Sequence, residues 1–403
     1  MASNSHEEHA PLLTGHAPGV DPSRSQDDSP KISIRLACRV AAAMFSFATL
    51  GLFQSSIGAL LPLISKHYNL SDLHVSLIFV VGPFGYIIAA QTSSLIHNQF
   101  GQFGIAFFGP VLQIIAAGLL SLQPHFGLVL VAYAVLGLGT GLLDGSWSGD
   151  CSGFGYFDGN EWKSQATLSI VDAFALCTAF WNETAYAYRQ AHQSEDADNK
   201  THTRAMLKLP ATWWCAAYFL ADVGVETAIS GWVVSFMLRS RAATPYLAGL
   251  SSSGFWAGMA VGRLVLGPLT DRIGVRKATA LYFSMAICVE TLFAVLPFPV
   301  VSVVLMMVLG FLMGPLFPSG VIVLTQLLPK NLHVAAVSFV ASLGQVGGAM
   351  LPFGIGAVVE GLGIGVFRFA ILVQSVLAML LWAAFAKLRP AAATFERTLA
   401  HED

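Results

Sequence analysis

The stretch from Val300 to Leu328 reads VVSVVLMMVLGFLMGPLFPSGVIVLTQLL and contains no aspartate, glutamate, lysine or arginine. A helix needs about 20 consecutive apolar residues to cross the hydrocarbon core of a bilayer. This stretch is long enough to do so, and it is too apolar for the surface of a soluble domain. It therefore predicts a helix that crosses a lipid bilayer, with glycines and prolines at points where such a helix can bend.

Similar apolar runs recur along the chain, which is 55% hydrophobic and only 11% charged, against roughly 25% charged residues in a soluble domain. Backbone exposed to lipid must pair within its own helix, so each run predicts a helix. We expect an all-α polytopic membrane protein with about eleven spans. The runs are residues 36–64, 74–95, 105–122, 126–147, 166–181, 210–236, 247–269, 278–296, 300–328, 334–359 and 367–386.

Polar segments divide these runs into two groups. The expected organisation is a disordered cytosolic tail (1–35), an N-terminal helical bundle (36–183), a cytosolic connector (184–209), a C-terminal helical bundle (210–388) and a cytosolic tail (389–403). Lysine and arginine concentrate in the polar segments, which the positive-inside rule assigns to the cytosol. Arg239, Arg241 and Arg368 fall at the opposite ends of their spans and are contrary evidence.

Several classes of function are disfavoured. The formal net charge of -2 gives no reason to expect nucleic acid as a partner. The five cysteines lack metal-ligand spacing, no phosphate-binding P-loop is present, and we find no nucleophile-base arrangement of a catalytic kind. We expect no metal, no cofactor and no enzymatic activity. The expected partners are a small-molecule solute and the lipid bilayer, and the sequence leaves open whether protons are a third.

One short loop carries a motif. It matches the pattern G-x-x-x-D-R-x-G-x-R-K at Gly267, Asp271, Arg272, Gly274, Arg276 and Lys277. Glycine permits a tight turn, and Asp271 can pair with basic groups or helix ends to hold neighbouring helices in one state. The alternative is an ordinary basic loop that obeys the positive-inside rule.

This loop resembles the signature loop of the major facilitator superfamily, and the resemblance extends from Leu36 to Leu388. Residues 57–62, 136–144 and 224–232 are similar to fungal members related to the fucose-type sugar permeases. The resemblance implies two pseudo-symmetric bundles of six helices. Residues 148–163 are too polar and too short for the expected fifth helix, so the first bundle is predicted to lack one. Those permeases carry an acid where this chain has Gly58, which weakens the case for proton coupling.

Acidic groups inside a span cost about 2.5 to 3.5 kcal/mol on insertion scales and need a reason. Asp222 and Glu226 lie four apart on one helical face and predict a solute or proton site; structural pairing is the alternative. Asp144 aligns with an acid that resembles the proton-handling carboxylate of the fucose-type permeases, with snorkelling to the interface as its alternative. The polar side chains of Gln54 and Ser56 are expected either to line the cavity that holds the solute or to form hydrogen bonds between helices.

We therefore expect a secondary transporter that works by alternating access. A non-transporting receptor or scaffold, or an inactive truncated form, are the alternatives. Two other polar groups stay outside the expected site, because Arg263 is assigned to the loop and Glu290 to a structural pair. The tail sequence Glu8 to Leu13 resembles an acidic dileucine signal, which predicts the vacuolar membrane, with the plasma membrane as the alternative.

Overall fold

The computed structural model describes residues 34–147, 161–181, 206–329 and 332–388. These residues form helices and short connections, and no β-strand occurs among them. The helices are α1 (Ile34–His67), α2 (Asp72–Ser121), α3 (Phe126–Trp147), α4 (Glu161–Ala179), α5 (Pro210–Ser240), α6 (Pro245–Ile273), α7 (Val275–Val295), α8 (Pro299–Met313), α9 (Leu316–Leu327), α10 (His333–Leu362) and α11 (Phe367–Ala386). The tails lie outside the described residues, as do Cys151 and most of the connector.

The described helices give the expected number of membrane crossings. Eight segments are long and apolar enough to span a bilayer. Two of them belong to α2, which breaks at Gly101 (φ 69°, ψ -163°), and one combines α8 with α9. Helices α1, α4 and α6 are not among these eight segments; counted with them by their place in the helix order, the described part of the chain contains eleven. The all-α fold with about eleven spans is confirmed.

Eleven spans raise a conflict, because an odd number of crossings before the second half would place the connector on the other side of the membrane from the basic loops. The direction of α4 resolves this conflict. We call the end of the bundle that carries the Gly267–Lys277 loop the inner end. Arg39, near the start of α1, donates from Nε to the carbonyl of Ala179 (3.4 Å). Trp181 packs on Phe103, beside the break at Gly101 where α2 reaches the inner end. Helix α4 therefore runs antiparallel to α1 and finishes at the inner end, where α5 begins.

The two halves repeat one packing arrangement, in which a pair of parallel helices meets at glycines. In the first half α2 meets α3, and a Cβ on Gly137 would lie 1.9 Å from the carbonyl oxygen of Gly82. In the second half α6 meets α8, and a Cβ on Gly310 would lie 1.9 Å from the carbonyl oxygen of Phe255. The inter-span breaks match as well, since Gly101 and Gly274 both have positive φ. The pseudo-symmetric arrangement is confirmed.

The hydrophobic core shows where the halves join. Residues from the outer parts of α1, α2 and α3, such as Leu61, Phe79 and Leu136, belong to the same buried cluster as the second half. Residues from the inner parts of the first half, such as Ala42 and Leu176, form a separate cluster. The halves are therefore packed together at their outer ends, and their cores separate towards the inner end.

Helices α5 and α10 approach closely at Gly347, where a Cβ would lie 1.8 Å from the carbonyl oxygen of Leu220. Gly347→Ala should therefore force the two backbones apart and destabilise the second half by about 3 kcal/mol or more. Thermal unfolding in detergent measures this as a lower midpoint. The matched control is Gly354→Ala in the same helix, where a Cβ meets no atom within 4 Å. Equal midpoints for the two variants would contradict the packing.

Candidate solute and proton site in the second half

The site is built on one face of α5. Asp222 is buried, and Glu226 lies one turn further along and is partly buried. Tyr218 lies one turn before Asp222 and interacts electrostatically with both acids, while its hydroxyl donates to the carbonyl of Leu316 (3.0 Å). The four-residue spacing aligns the three side chains along the helix axis, so α5 presents a polar stripe to its neighbours.

Arg263 supplies the positive charge of this site. It projects from α6 and lies within electrostatic range of Asp222. Its Nε donates to the carbonyl of Gly314 (3.2 Å), at the break between α8 and α9. The sequence assigned Arg263 to the loop, whereas its described contacts are with Asp222 and Gly314, because α6 packs against α5. Glu290 is separate and accepts a hydrogen bond from Ser375 (2.7 Å).

The charges at the site do not balance. Asp222 and Glu226 together carry two negative charges when ionised, and Arg263 carries one positive charge. In a medium of low dielectric constant an excess charge is costly, so uptake of one proton would neutralise the group. The same side chains can also accept hydrogen bonds from hydroxyl groups and donate one through the guanidinium. The arrangement suits a polar solute, a proton, or both.

Among the other predicted site residues, only Ser56 has a described side chain, and its hydrogen bond is to its own helix. Ser56 is fully buried and donates to the carbonyl of Phe53 on its own helix (2.7 Å), so it does not line a cavity. The side chains of Gln54 and Asp144 lie outside the described residues. The sequence could not show that Ser56 is satisfied locally, because serine bonds either to its own helix or across to another.

The loop motif forms a tight turn. Gly274 has a positive φ of 93° and donates to the carbonyl of Thr270 (2.9 Å), a conformation that favours glycine. Arg276 donates to the carbonyls of Ala386 (2.7 Å) and Leu388 (3.2 Å), which ties the loop to the end of α11. Asp271, Arg272 and Lys277 are exposed, and Gly267 has open space around it.

The halves meet at the outer end through polar contacts. Arg239 of α5 pairs with Asp72 of α2 (2.6 Å), and the carboxylate of Glu360 in α10 accepts from the backbone N–H of Leu73 (3.1 Å). A carboxylate at a helix N-terminus is favoured by the helix dipole. These contacts border an open cavity of about 590 Å³. The pairing also gives a structural reason for Arg239 at the end of the bundle opposite the Gly267–Lys277 loop.

Further from the outer end than these contacts, the two halves are closely packed against each other. A Cβ on Gly58 of α1 would lie 1.9 Å from the carbonyl oxygen of Ser230 in α5. Phe79 of α2 packs on Trp232, with 6.4 Å between ring centroids. A cavity of about 50 Å³ borders Thr227, the residue after Glu226, and it holds only a few water molecules. The route from the α5 stripe to the outer side is closed in this conformation.

Two further arginines at the outer end stabilise α7. Arg241 donates to the carbonyls of Phe293 and Leu296, and Arg368 donates to that of Ala294 (2.8 Å). Cations are favoured at a helix C-terminus, where carbonyls lack partners. Burial and the charge of Arg368 lower the pKa of Arg241 to about 10, so it stays cationic at neutral pH. Their positions reflect helix capping and no longer count against the predicted topology.

Comparison with known proteins supports the inferred resemblance. A sequence model described as the Major Facilitator Superfamily matches residues 174–401, more than half of the chain. Bypass of stop codon protein 6 from Saccharomyces cerevisiae is 26% identical over 409 residues, covering 87% of this chain and 82% of the yeast protein. A structure of the nucleoside transporter NupG has a TM-score of 0.66 at 14% identity, covering 87% of this chain and 100% of that one. The fucose:proton symporter FucP of E. coli has a TM-score of 0.56 at 14% identity, covering 88% and 100%.

Proposed function

The chain belongs to the major facilitator superfamily, and from this premise we propose that it is a secondary transporter, which moves a small polar solute across a membrane by alternating access. The observation that carries the proposal is the interface between the halves. They are packed at the outer end through Gly58 and Ser230, and their cores separate towards the inner end. This is the arrangement of one of the two states that such a cycle requires.

The solute and the proton are proposed to bind beside the polar stripe of α5. Asp222 and Glu226 accept hydrogen bonds from solute hydroxyls, and Arg263 donates to the solute. One proton balances the excess negative charge of the group. A neutral sugar or a related polyhydroxylated solute fits this chemistry, and the similarity to a nucleoside transporter and to a fucose:proton symporter supports this class.

The test is solute flux in liposomes that contain the purified protein. Labelled neutral sugars and nucleosides are offered with and without an acid gradient. At least one should accumulate, and a protonophore should abolish the accumulation. Solute binding without flux under any imposed gradient would contradict the proposal and favour a receptor.

A second candidate function is a non-transporting receptor, or an inactive shortened form of a transporter. It is favoured by one observation, namely that the described first half holds five spans where the second half holds six. Restoring a twelfth helix distinguishes the two: insertion of an apolar helix of about 20 residues between Trp147 and Glu161 should create flux only if the native chain is inactive.

The compartment is a separate proposal. The sequence Glu8 to Leu13, outside the described residues, is proposed to direct the protein to a vacuolar membrane. Replacing Leu12 and Leu13 with alanine should move a fluorescently tagged protein to the plasma membrane. The matched control replaces Leu36, which is apolar but lies outside the signal. An unchanged location in the double variant would remove the proposal.

A further inference from the structure

A second buried carboxyl group lies in the first half, away from the α5 stripe. Asp172 of α4 is fully buried and faces α1. The hydroxyl of Ser46 in α1 donates to its Oδ2 (3.0 Å). The other oxygen, Oδ1, accepts no hydrogen bond from any residue that the structure describes. A buried carboxyl with one oxygen unsatisfied is costly and calls for a physical reason.

Charge compensation does not supply that reason. Helix α4 packs against α1 and α2, and the facing part of α2, residues 102–121, contains no charged side chain. On α1, Arg39 lies about two turns from Ser46 and is held at the inner end by the carbonyl of Ala179 and the ring of Phe180. Cys177 of α4 interacts electrostatically with Asp172 but is a thiol and supplies no positive charge.

Neighbouring polar groups are unsatisfied as well. Ser169, one turn before Asp172, is buried and its hydroxyl has no partner among the described residues. The same holds for both amide atoms of Gln113 in α2. The thiol of Cys177 in α4 donates to the carbonyl of Ala106 in α2 (3.8 Å). Because the two helices are antiparallel there, the same number of residues counted forward along α2 and backward along α4 places Gln113 level with residues 169–172. Three unsatisfied groups thus lie at one depth between α2 and α4.

Glu290 in the second half offers a useful contrast. It is also fully buried and bonded by a serine, with its Oε2 unpaired among the described residues. However, Arg241 and Arg368 bind the carbonyls of Phe293 and Ala294, one turn further along the same helix. Two cations are thus bound about one turn from Glu290 on its own helix, whereas the described contacts place no cation that close to Asp172.

We propose that Asp172 is a proton-binding site in the first half, distinct from the α5 stripe. Ser46 stabilises the charged carboxylate by donating to it, and protonation removes the uncompensated charge. Because the site joins α1 to α4, its two charge states alter the packing of α1, whose Gly58 forms the closed outer contact. The proton is the ligand, since Asp172 and Ser46 together bring three side-chain oxygen atoms to this point, fewer than the roughly six to eight that a calcium ion takes.

Infrared difference spectroscopy of the purified full-length protein in nanodiscs tests the proposal without any solute. A protonated carboxyl has a carbonyl stretch that the carboxylate lacks. The wild type should show a band that disappears as the pH is raised, Asp172→Asn should lose one component of it, and both Glu290→Gln and Glu226→Gln should keep that component. An identical titration in the wild type and Asp172→Asn would overturn the proposal.

A second variant covers the case in which Asp172→Asn does not fold. Ser46→Ala keeps the carboxyl and removes its hydrogen bond, so it should shift the pH at which the Asp172 component disappears. Ser375→Ala, the equivalent change at Glu290, should leave that pH unchanged. No shift in Ser46→Ala, or an equal shift in both variants, would overturn the assignment. Since no transport is measured, the result is independent of the proposed function.

Discussion

Gly58→Val is expected to hold the protein open at its outer end. A Cβ at this position would lie 1.9 Å from the carbonyl oxygen of Ser230 in the other half, where nonbonded atoms need about 3.5 Å. Relieving the clash requires the halves to separate at the outer end. A penalty of about 3 kcal/mol against the outer-closed state shifts the ratio of the two states roughly 100-fold.

Cysteine labelling measures this shift. In a variant without native cysteines, Gln345→Cys places a thiol at the small cavity between the halves. A membrane-impermeant maleimide applied from the outer side should label it much faster when Gly58→Val is present. The matched control is Gly118→Val in α2, where a Cβ meets no atom within 4 Å. Equal labelling rates in the two variants would show that Gly58 does not govern outer closure.

Glu226→Gln is expected to abolish proton-driven accumulation of the solute. The amide keeps the size and hydrogen-bonding capacity of the carboxyl but cannot exchange a proton. Accumulation in liposomes should fall to the level of empty vesicles. Exchange of labelled for unlabelled solute should persist, because exchange needs solute binding and conformational change but no net proton release.

The control for this variant is Glu290→Gln, which makes the same chemical change in another buried glutamate, bonded to Ser375. The amide oxygen can still accept that hydrogen bond, so wild-type accumulation is expected. Wild-type accumulation in Glu226→Gln itself would reduce Glu226 to a structural role. Loss of both accumulation and exchange would show that solute binding itself requires the Glu226 carboxylate, and would contradict its assignment as the proton carrier.

Much of the fold follows from apolar runs, but the direction of α4 does not. The runs at 74–95 and 105–122 predicted two spans, and the structure joins them into α2 because Gly101 turns the chain without a linker. The run at 166–181 has the same hydropathy read in either direction. Only tertiary contacts, such as that between Arg39 and Ala179, show that α4 runs from the outer end to the inner end.

The site was predictable only where it lies on one helix. The spacing of Asp222 and Glu226 places both on one face, whatever surrounds them. Arg263 comes from another helix, so its position depends on how α5 and α6 pack, which sequence spacing does not reveal. Asp172 does carry a signal in the sequence, because it is the one acid in the apolar run 166–181, and an acid in such a run needs a reason.

The central claim is that the halves rock about the α5 site, and it is tested most directly by two distance measurements in one protein. Spin labels are placed at the outer end on exposed Leu122 and Phe298, and at the inner end on exposed Phe100 and Lys277. Pulsed electron resonance then gives each distance with and without solute at low pH. The account predicts that the outer distance lengthens while the inner distance shortens. Distances that stay fixed, or that change in the same direction, would contradict it.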